Sequence, residues 1–450
     1  MRHLSLMAPE IKELLKTTNN KEELQEILRE MHPADIADIL FSLETKEQVI
    51  LISRIDKKQM LKVFNQLDEY EQFELLDKLE KDLSAYLLNE MSSDERADLL
   101  SSLPDDVEKK FLNLMSEAER KDVEKLLKYP ANSAGSIMST EYVSLIPELT
   151  VAQATELLRQ AAPKKETIYY SYVTDQDNKL IGFVSLKDIF LSSPEVPIKK
   201  IMNRKVIKAL AKQDQEEVAK LVRKYNLLAL PVVDKDKTLV GIITVDDIMD
   251  VVKEETTEDF YKMAAMLAPT DAYFETGFFT LVRRRIVWLL ILLAAVQFSG
   301  QILKRYSFVL ESVVALSFFI PMLLNTAGNA GTQSSTTIIR GLATGEIGIS
   351  QIFKVVRREI MLGVVLGTLL GVLGVGRALL LQRNPIVSLA VGFALAATIV
   401  MATLSGAFLP MLLKKLKIDP AVAAGPFIST VVDITALIIY FEIAKSLLGL

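Results

Sequence analysis

The sequence predicts a multidomain membrane protein in three parts: an all-α superhelical N-domain, an α/β tandem repeat and an α-helical transmembrane domain of five spans. Three observations predict it. Charge is segregated: residues 286–450 carry 12 Lys and Arg against 6 Asp and Glu, whereas residues 1–285 carry 40 against 51. A strand-and-helix pattern recurs in the middle of the chain at a constant offset of 59 residues. Five apolar segments, each near the twenty residues a helix needs to cross a bilayer, fill the C-terminal part.

A chain of 450 residues has room for several domains. It has no cysteine and only His3 and His32, which excludes thiolate zinc sites, disulfides and haem ligation. Any metal must take oxygen ligands, pointing to hard cations such as Mg²⁺ or Ca²⁺. The run from Met1 to Pro9 is too short in apolar residues for a signal peptide, so the acidic half is expected in the cytoplasm.

Residues 1–128 read as the helical domain, with apolar residues at three- and four-residue spacing from about residue 10 and few glycines. A loose repeat, seen at Pro33–Leu40, Asp94–Leu100 and Glu117–Leu127, predicts stacked helix pairs that bury each other's open faces. Acids at such helix starts mostly partner the helix dipole. Asp94 is the one singled out as a candidate ligand.

Residues 129–252 alternate strands and helices. Asp175 and Asp234, Gly182 and Gly241, Ser185 and Thr244, and Asp188 and Asp247 are paired at that offset without a gap. Each copy reads as strand, polar turn, strand, then a helix opened by an N-cap hydroxyl, Ser185 or Thr244. Ile137-Met138 and Ile201-Met202 open the first halves, giving copies at about 137–195 and 200–252. This resembles a tandem pair of CBS domains. The resemblance implies an adenine nucleotide between the copies, with Ser185 and Asp188, or Thr244 and Asp247, toward the ribose; Tyr170 is placed to stack on the base. Asp175 and Asp234 also look like starts of calcium loops, but the glycine at position six and glutamate at position twelve are missing, so they read as hairpin turns.

An acidic connecting segment, residues 253–280, follows the second copy and is expected to stay helical from Thr256 to Gly277. From Asp246 to Asp259 seven carboxylates stand against one lysine. On a helix Asp247, Asp250, Glu254 and Glu258 share a face, with Glu255 and Asp259 beside it. Each like pair repels by about 3 kcal/mol at 6 Å and an effective dielectric near 20. A solvated acidic face is the ordinary explanation. Its position between a regulatory repeat and a membrane domain favours a cation sensor, to which Asp214 and Glu216, at the start of a repeat helix, would add oxygens.

The transmembrane domain, residues 281–450, begins with Arg283, Arg284, Arg285 and Trp288, a basic cluster and belt aromatic marking a cytoplasmic membrane face. Spans are expected at about 286–303, 312–339, 359–380, 386–413 and 421–448. Ten basic residues flank the cytoplasmic ends and four the outer ends, so the C-terminus is expected outside a cell membrane. Gly363, Gly367 and Gly371 form a small-residue ridge for helix packing. Glu311 and Glu359 sit at span ends, where an interfacial role is at least as natural as an ion-path one.

Two stretches carry the transport chemistry. Between Pro321 and Thr337 a span is small, polar and glycine-rich, and Asn325, Asn329 and Gln333 recur every four residues, placing their amides on one helical face. The alternative is a helix contact glued by small residues and amides. Asp433 is the one carboxylate near the middle of a span, where a charge costs about 2.5–3.5 kcal/mol and usually marks an ion path. One carboxylate is little for a divalent ion, so a homodimer pairing two copies of Asp433 is the simplest assembly.

The order of helical domain, CBS pair, acidic connector and five spans resembles the MgtE family of magnesium channels over essentially the whole chain. The Pro321–Gln333 stretch and the Asp433 span carry the resemblance most specifically. It implies a homodimeric channel for Mg²⁺ in the lipid bilayer, with Asp433 toward hydrated Mg²⁺ in the pore. It also implies closure by cytosolic Mg²⁺ at Asp94, Asp214, Glu216, Asp246, Asp247, Asp250, Glu255, Glu258 and Asp259, and tuning by ATP at the CBS pair. The rivals are a carrier of other divalent ions such as Mn²⁺ or Co²⁺, and a membrane-tethered CBS sensor acting through a partner. No nucleophile–base pair, cofactor loop or catalytic histidine points to an enzyme.

Overall fold

A computed structural model describes residues 8–16, 21–267 and 276–450. They divide into two compact units, residues 1–253 and 254–450, and each is taken by itself.

The first unit opens with ten helices, α1 to α10, between Ala8 and Leu126, each of eight to ten residues. Helices this short do not hold in water alone. They persist because each buries one stripe, and several are capped as well. Asp56 accepts from the Lys58 and Gln59 amides, Asp68 and Glu71 close a capping box, and Ser116 accepts from Glu119. Leu51, Phe64, Leu87, Leu99 and Phe111 are fully buried in the resulting core. The expected stacking of short helices is what forms.

The repeat folds into two three-stranded sheets. In the first, β1 (Ser144–Leu145) runs parallel to β2 (Tyr170–Thr174), which is antiparallel to β3 (Leu180–Ser185). In the second, β4 (Ala209–Leu210), β5 (Ala229–Val233) and β6 (Leu239–Thr244) pair in the same way. Helices α11 (Val151–Ala161), α12 (Leu186–Leu191), α13 (Ile198–Ile201) and α14 (Gln215–Tyr225) pack around them. Each copy lends its opening segment to the other: Ser139 bridges to Ile242, and Asn203 to Phe183. A glycine makes room for each crossing. A Cβ on Gly241 would lie 2.7 Å from Met138 Sδ, and one on Gly182 would lie 3.1 Å from Met202 Sδ. The Asp175 and Asp234 carboxylates cap their own hairpins, each accepting two backbone N–H groups, which confirms them as turns.

Helix α15 (Val245–Met263) starts directly from β6. The connector does not stay helical to Gly277: α15 stops at Met263, and Ala265 turns left-handed at φ 53°. Residues 268–275 lie outside the described residues.

The second unit holds five helices long and apolar enough to span a membrane. They are α16 (Phe278–Arg305), then, after the short α17 (Ser307–Ser312), α18 (Ile320–Ala343), α19 (Ile352–Gln382), α20 (Pro385–Lys415) and α21 (Gly425–Leu448). Pro321 breaks the second span as expected: a 3₁₀ stretch, Val314–Phe319, precedes it, and α18 starts with the proline in its first turn. Two helices overrun the starts of the expected spans: α16 begins eight residues early, and α19 begins seven early and carries Lys354, Arg357 and Arg358. The glycine ridge packs on α20, where a Cβ on Gly367 would lie 2.6 Å from the Ala396 carbonyl and one on Gly371 would lie 2.8 Å from that of Gly392.

Candidate functional site

The amide stripe forms as the spacing requires. Asn325, Asn329 and Gln333 are exposed along one face of α18, while Leu323, Ala327, Gly328, Gly331 and Ser334 on the other face are buried. Asn329 Nδ2 donates to Asn325 Oδ1 at 3.3 Å, which couples the stripe lengthwise. Asp433, half-buried on α21, sits beside it: a Cβ on Gly328 would lie 4.0 Å from Asp433 Oδ1 and 3.5 Å from Ser429 Oγ. Thr332 Oγ1 and Ser429 Oγ, 3.4 Å apart, continue the polar seam between the two helices. Among the described residues no lysine or arginine pairs with Asp433. A polar stripe left uncovered among apolar helices is costly to expose to hydrocarbon.

Glu359 belongs to the helix packing. It is buried on α19 with Oε2 2.8 Å from Ser334 Oγ on α18, and Thr403 Oγ1 of α20 donates to its backbone carbonyl at 3.2 Å. It ties three helices together.

In the first unit Asp94 lies in the first turn of α8 (Ser93–Ser101) and is 5 % exposed, with Oδ1 unpartnered among the described residues. It is held there by Ser93 Oγ, which accepts from the Thr140 amide at 2.8 Å and lies 3.3 Å from Ser139 Oγ. Four further carboxylates surround it. Burial, then the charge of Asp94, pushes Glu95, Glu141 and Asp247 each up to about 7. Burial, then Asp94 and Asp247, pushes Glu166 up to about 8. Asp94 itself is raised, by burial first, with Asp246 adding to it. Sequence reasoning found Asp94 and Asp247 but missed Glu95, Glu141 and Glu166. Glu141 and Glu166 lie in loops 25 residues apart with no local pattern, and a backbone hydrogen bond joins them.

The other candidates fare unevenly. Asp214 spends an oxygen capping α14, and Glu216 is paired with Lys220 at 2.6 Å. Asp246 and Asp250 are exposed on α15. Glu258 is 2.6 Å from Lys262, whose own partial burial is outweighed by Asp419 and Glu258, so that its ammonium is pushed up to about 12. Glu255 and Asp259 lie on the same helix, as expected. Among the described residues no three acids or histidines converge closely enough to grip a bare ion.

A cleft between the CBS copies is lined by Tyr170, Tyr172 and Phe183 of one and Lys205, Ala229 and Pro231 of the other. Tyr170 meets Phe183 edge-on at 5.7 Å. Ser185 is paired with Tyr170 across the ladder, and its hydroxyl donates to Asp188 at 2.5 Å. In the second copy Thr244 Oγ1 donates to Asp247 in the same way. The buried Tyr172 hydroxyl has no hydrogen-bond partner among the described residues.

Comparison with known proteins agrees with this layout. Residues 320–443 match the MgtE divalent cation transporter family, 31–132 the MgtE intracellular N domain, and 134–194 and 198–254 the CBS domain. The chain is 41 % identical to the magnesium transporter MgtE of Thermus thermophilus over 326 residues, 72 % of each chain. It is 41 % identical to that of Bacillus subtilis over 324 residues, 72 % of this chain and 71 % of the relative. A crystal structure of the cytosolic domain of the Mg²⁺ channel MgtE in complex with ATP aligns over 54 % of this chain and 99 % of its own length, with a TM-score of 0.52 and 36 % identity. The soluble part of a magnesium transporter aligns over 56 % of this chain and 99 % of its own, with a TM-score of 0.53 and 34 % identity. With a helical N-domain, a CBS pair and five apolar spans in that order, this chain belongs to the MgtE family of membrane-spanning magnesium transporters.

Proposed function

We propose that the protein is a Mg²⁺ channel, passive and closed by cytosolic Mg²⁺, whose pore lies between two copies of the chain. The observation that carries this reading is the exposed amide stripe of α18 beside Asp433. A second copy related by two-fold symmetry would cover the stripe, bring two Asp433 carboxylates together and line a wet path with amide oxygens. Mg²⁺ dehydrates reluctantly. Oxygens spaced to touch its waters suit it better than a tight cage.

Closure rests on the Asp94 cluster. Buried Asp94 and four half-buried acids around it repel one another wherever they are ionised until a divalent ion neutralises them, so the ion stabilises whichever arrangement holds them together. Moving a gate from 1:99 to 99:1 takes about 5.5 kcal/mol of differential affinity, which several weak sites supply jointly. The cleft between the CBS copies fits a nucleotide: Tyr170 offers a ring face, Tyr172 an unused hydroxyl and Lys205 a cation for phosphate. When bound there, ATP supplies no chemistry; it biases the arrangement of the copies. The N-domain then faces the cytoplasm and the C-terminus the outside.

Purified protein in liposomes carrying a Mg²⁺ indicator tests the reading. Flux falls at least tenfold in Asp433→Asn, and Mg²⁺ outcompetes Mn²⁺ and Co²⁺. Wild-type flux retained in Asp433→Asn overturns the pore assignment, and preferred Mn²⁺ or Co²⁺ entry overturns the selectivity.

A further inference from the structure

The last turn of α15 converges on one loop of the transmembrane unit. Lys262 Nζ lies 2.6 Å from Glu258 Oε1 and 2.7 Å from Asp419 Oδ2. Asp419 caps the 3₁₀ turn Pro420–Ala423 through its other oxygen, accepting from the Ala421 amide at 2.9 Å. One residue on, Met263 packs with Ala421, Ala424 and Ile339 of α18. Gly425, at φ +42°, approaches the Met263 carbonyl so closely that a Cβ would lie 2.5 Å from it.

The same loop is tied to the permeation helices. Ser335 Oγ of α18 donates to the Ala423 carbonyl at 2.7 Å. Gly425 is also the first residue of α21, so Asp433 stands two turns further along that helix. Whatever displaces residues 419–425 therefore shifts α18 and α21, the two helices that carry the amides and the carboxylate.

We propose that Lys262 is a positioning residue for gating: clamped between Glu258 and Asp419, its ammonium ties the tip of α15 to the loop that sets α18 against α21. This rests on the channel reading above and adds the link by which α15 acts on the path. All three side chains are partly exposed, at 27 %, 40 % and 35 %. A partly solvated pair breaks and reforms readily, as a link between two gate positions must. The Met263–Gly425 contact supplies steric registration, and the ion pair decides whether it is engaged.

The test uses the full chain in liposomes, with flux measured at low and at high internal Mg²⁺. Wild type passes Mg²⁺ at low internal Mg²⁺ and closes at high. Lys262→Asp sets three acids against one another, and the ratio of open to closed flux falls at least fivefold while low-Mg²⁺ flux persists. Adding Asp419→Lys restores one cation between two acids and recovers the ratio. Should Lys262→Asp not reconstitute, Lys262→Met keeps the stem without the charge and lowers the ratio about threefold. Normal closure in Lys262→Met, or no recovery in the double exchange, overturns the link. A wild type that passes no Mg²⁺, or never closes, instead overturns the channel reading, and the link falls with it.

Discussion

Neutralising one carboxylate in the Asp94 cluster removes repulsion that otherwise a cation or bound protons offset. Asp94→Asn keeps the shape and discards the charge, so the metal-free protein gains about 1–2 kcal/mol of stability. The same variant stays open at high internal Mg²⁺; normal closure, read as flux, contradicts the sensor. The cluster also makes stability depend on pH. Glu95, Glu141 and Asp247 at about 7 and Glu166 at about 8 hold protons that the unfolded chain, titrating near 4, has released. Their contribution is therefore fully present below about pH 4 and is lost as pH rises through 7 to 8. Thermal unfolding of the full chain without divalent ions shows a lower midpoint at pH 8 than at pH 5, and Mg²⁺ recovers it at pH 8. A midpoint that climbs from pH 5 to pH 8 refutes this.

At the scale of elements, the α19–α20 contact depends on absent side chains. Gly367 touches the Ala396 backbone, whereas Gly376 on the same helix faces open space, with nothing within 4 Å of where a Cβ would stand. Gly367→Val thus forces the helices apart and costs about 1–3 kcal/mol, while Gly376→Ala is neutral or slightly favourable to the helix. Melting of the two variants in detergent separates them; equal midpoints refute the ridge. These glycines were legible because their four-residue spacing is a local pattern. The end of α15 was not, since Thr256 to Gly277 keeps a helix-compatible pattern and the stop at Met263 comes with packing on Ala421 and Ala424.

For the whole molecule, the decisive question is what covers the stripe on α18. The chain has no cysteine, so Asn329→Cys introduces a single thiol on a clean background. In native membranes under mild oxidation it yields a disulfide-linked dimer, whereas a cysteine at Phe353, exposed on α19, does not. Monomer alone on a non-reducing gel rules out a pore between copies.

The sequence by itself determined the three-part layout, the duplicated sheets, the five spans, the break at Pro321, and the amide face with Asp433. All of these are written in short-range period, spacing or composition, which survive without knowing any long-range contact. Only the tertiary structure decided that Glu95, Glu141 and Glu166 join Asp94 and Asp247, that Glu359 is buried against Ser334, and that Lys262 reaches Asp419 across 157 residues. Burial and charge proximity are properties of distant segments brought together. A carboxylate's local neighbours in the chain do not report them.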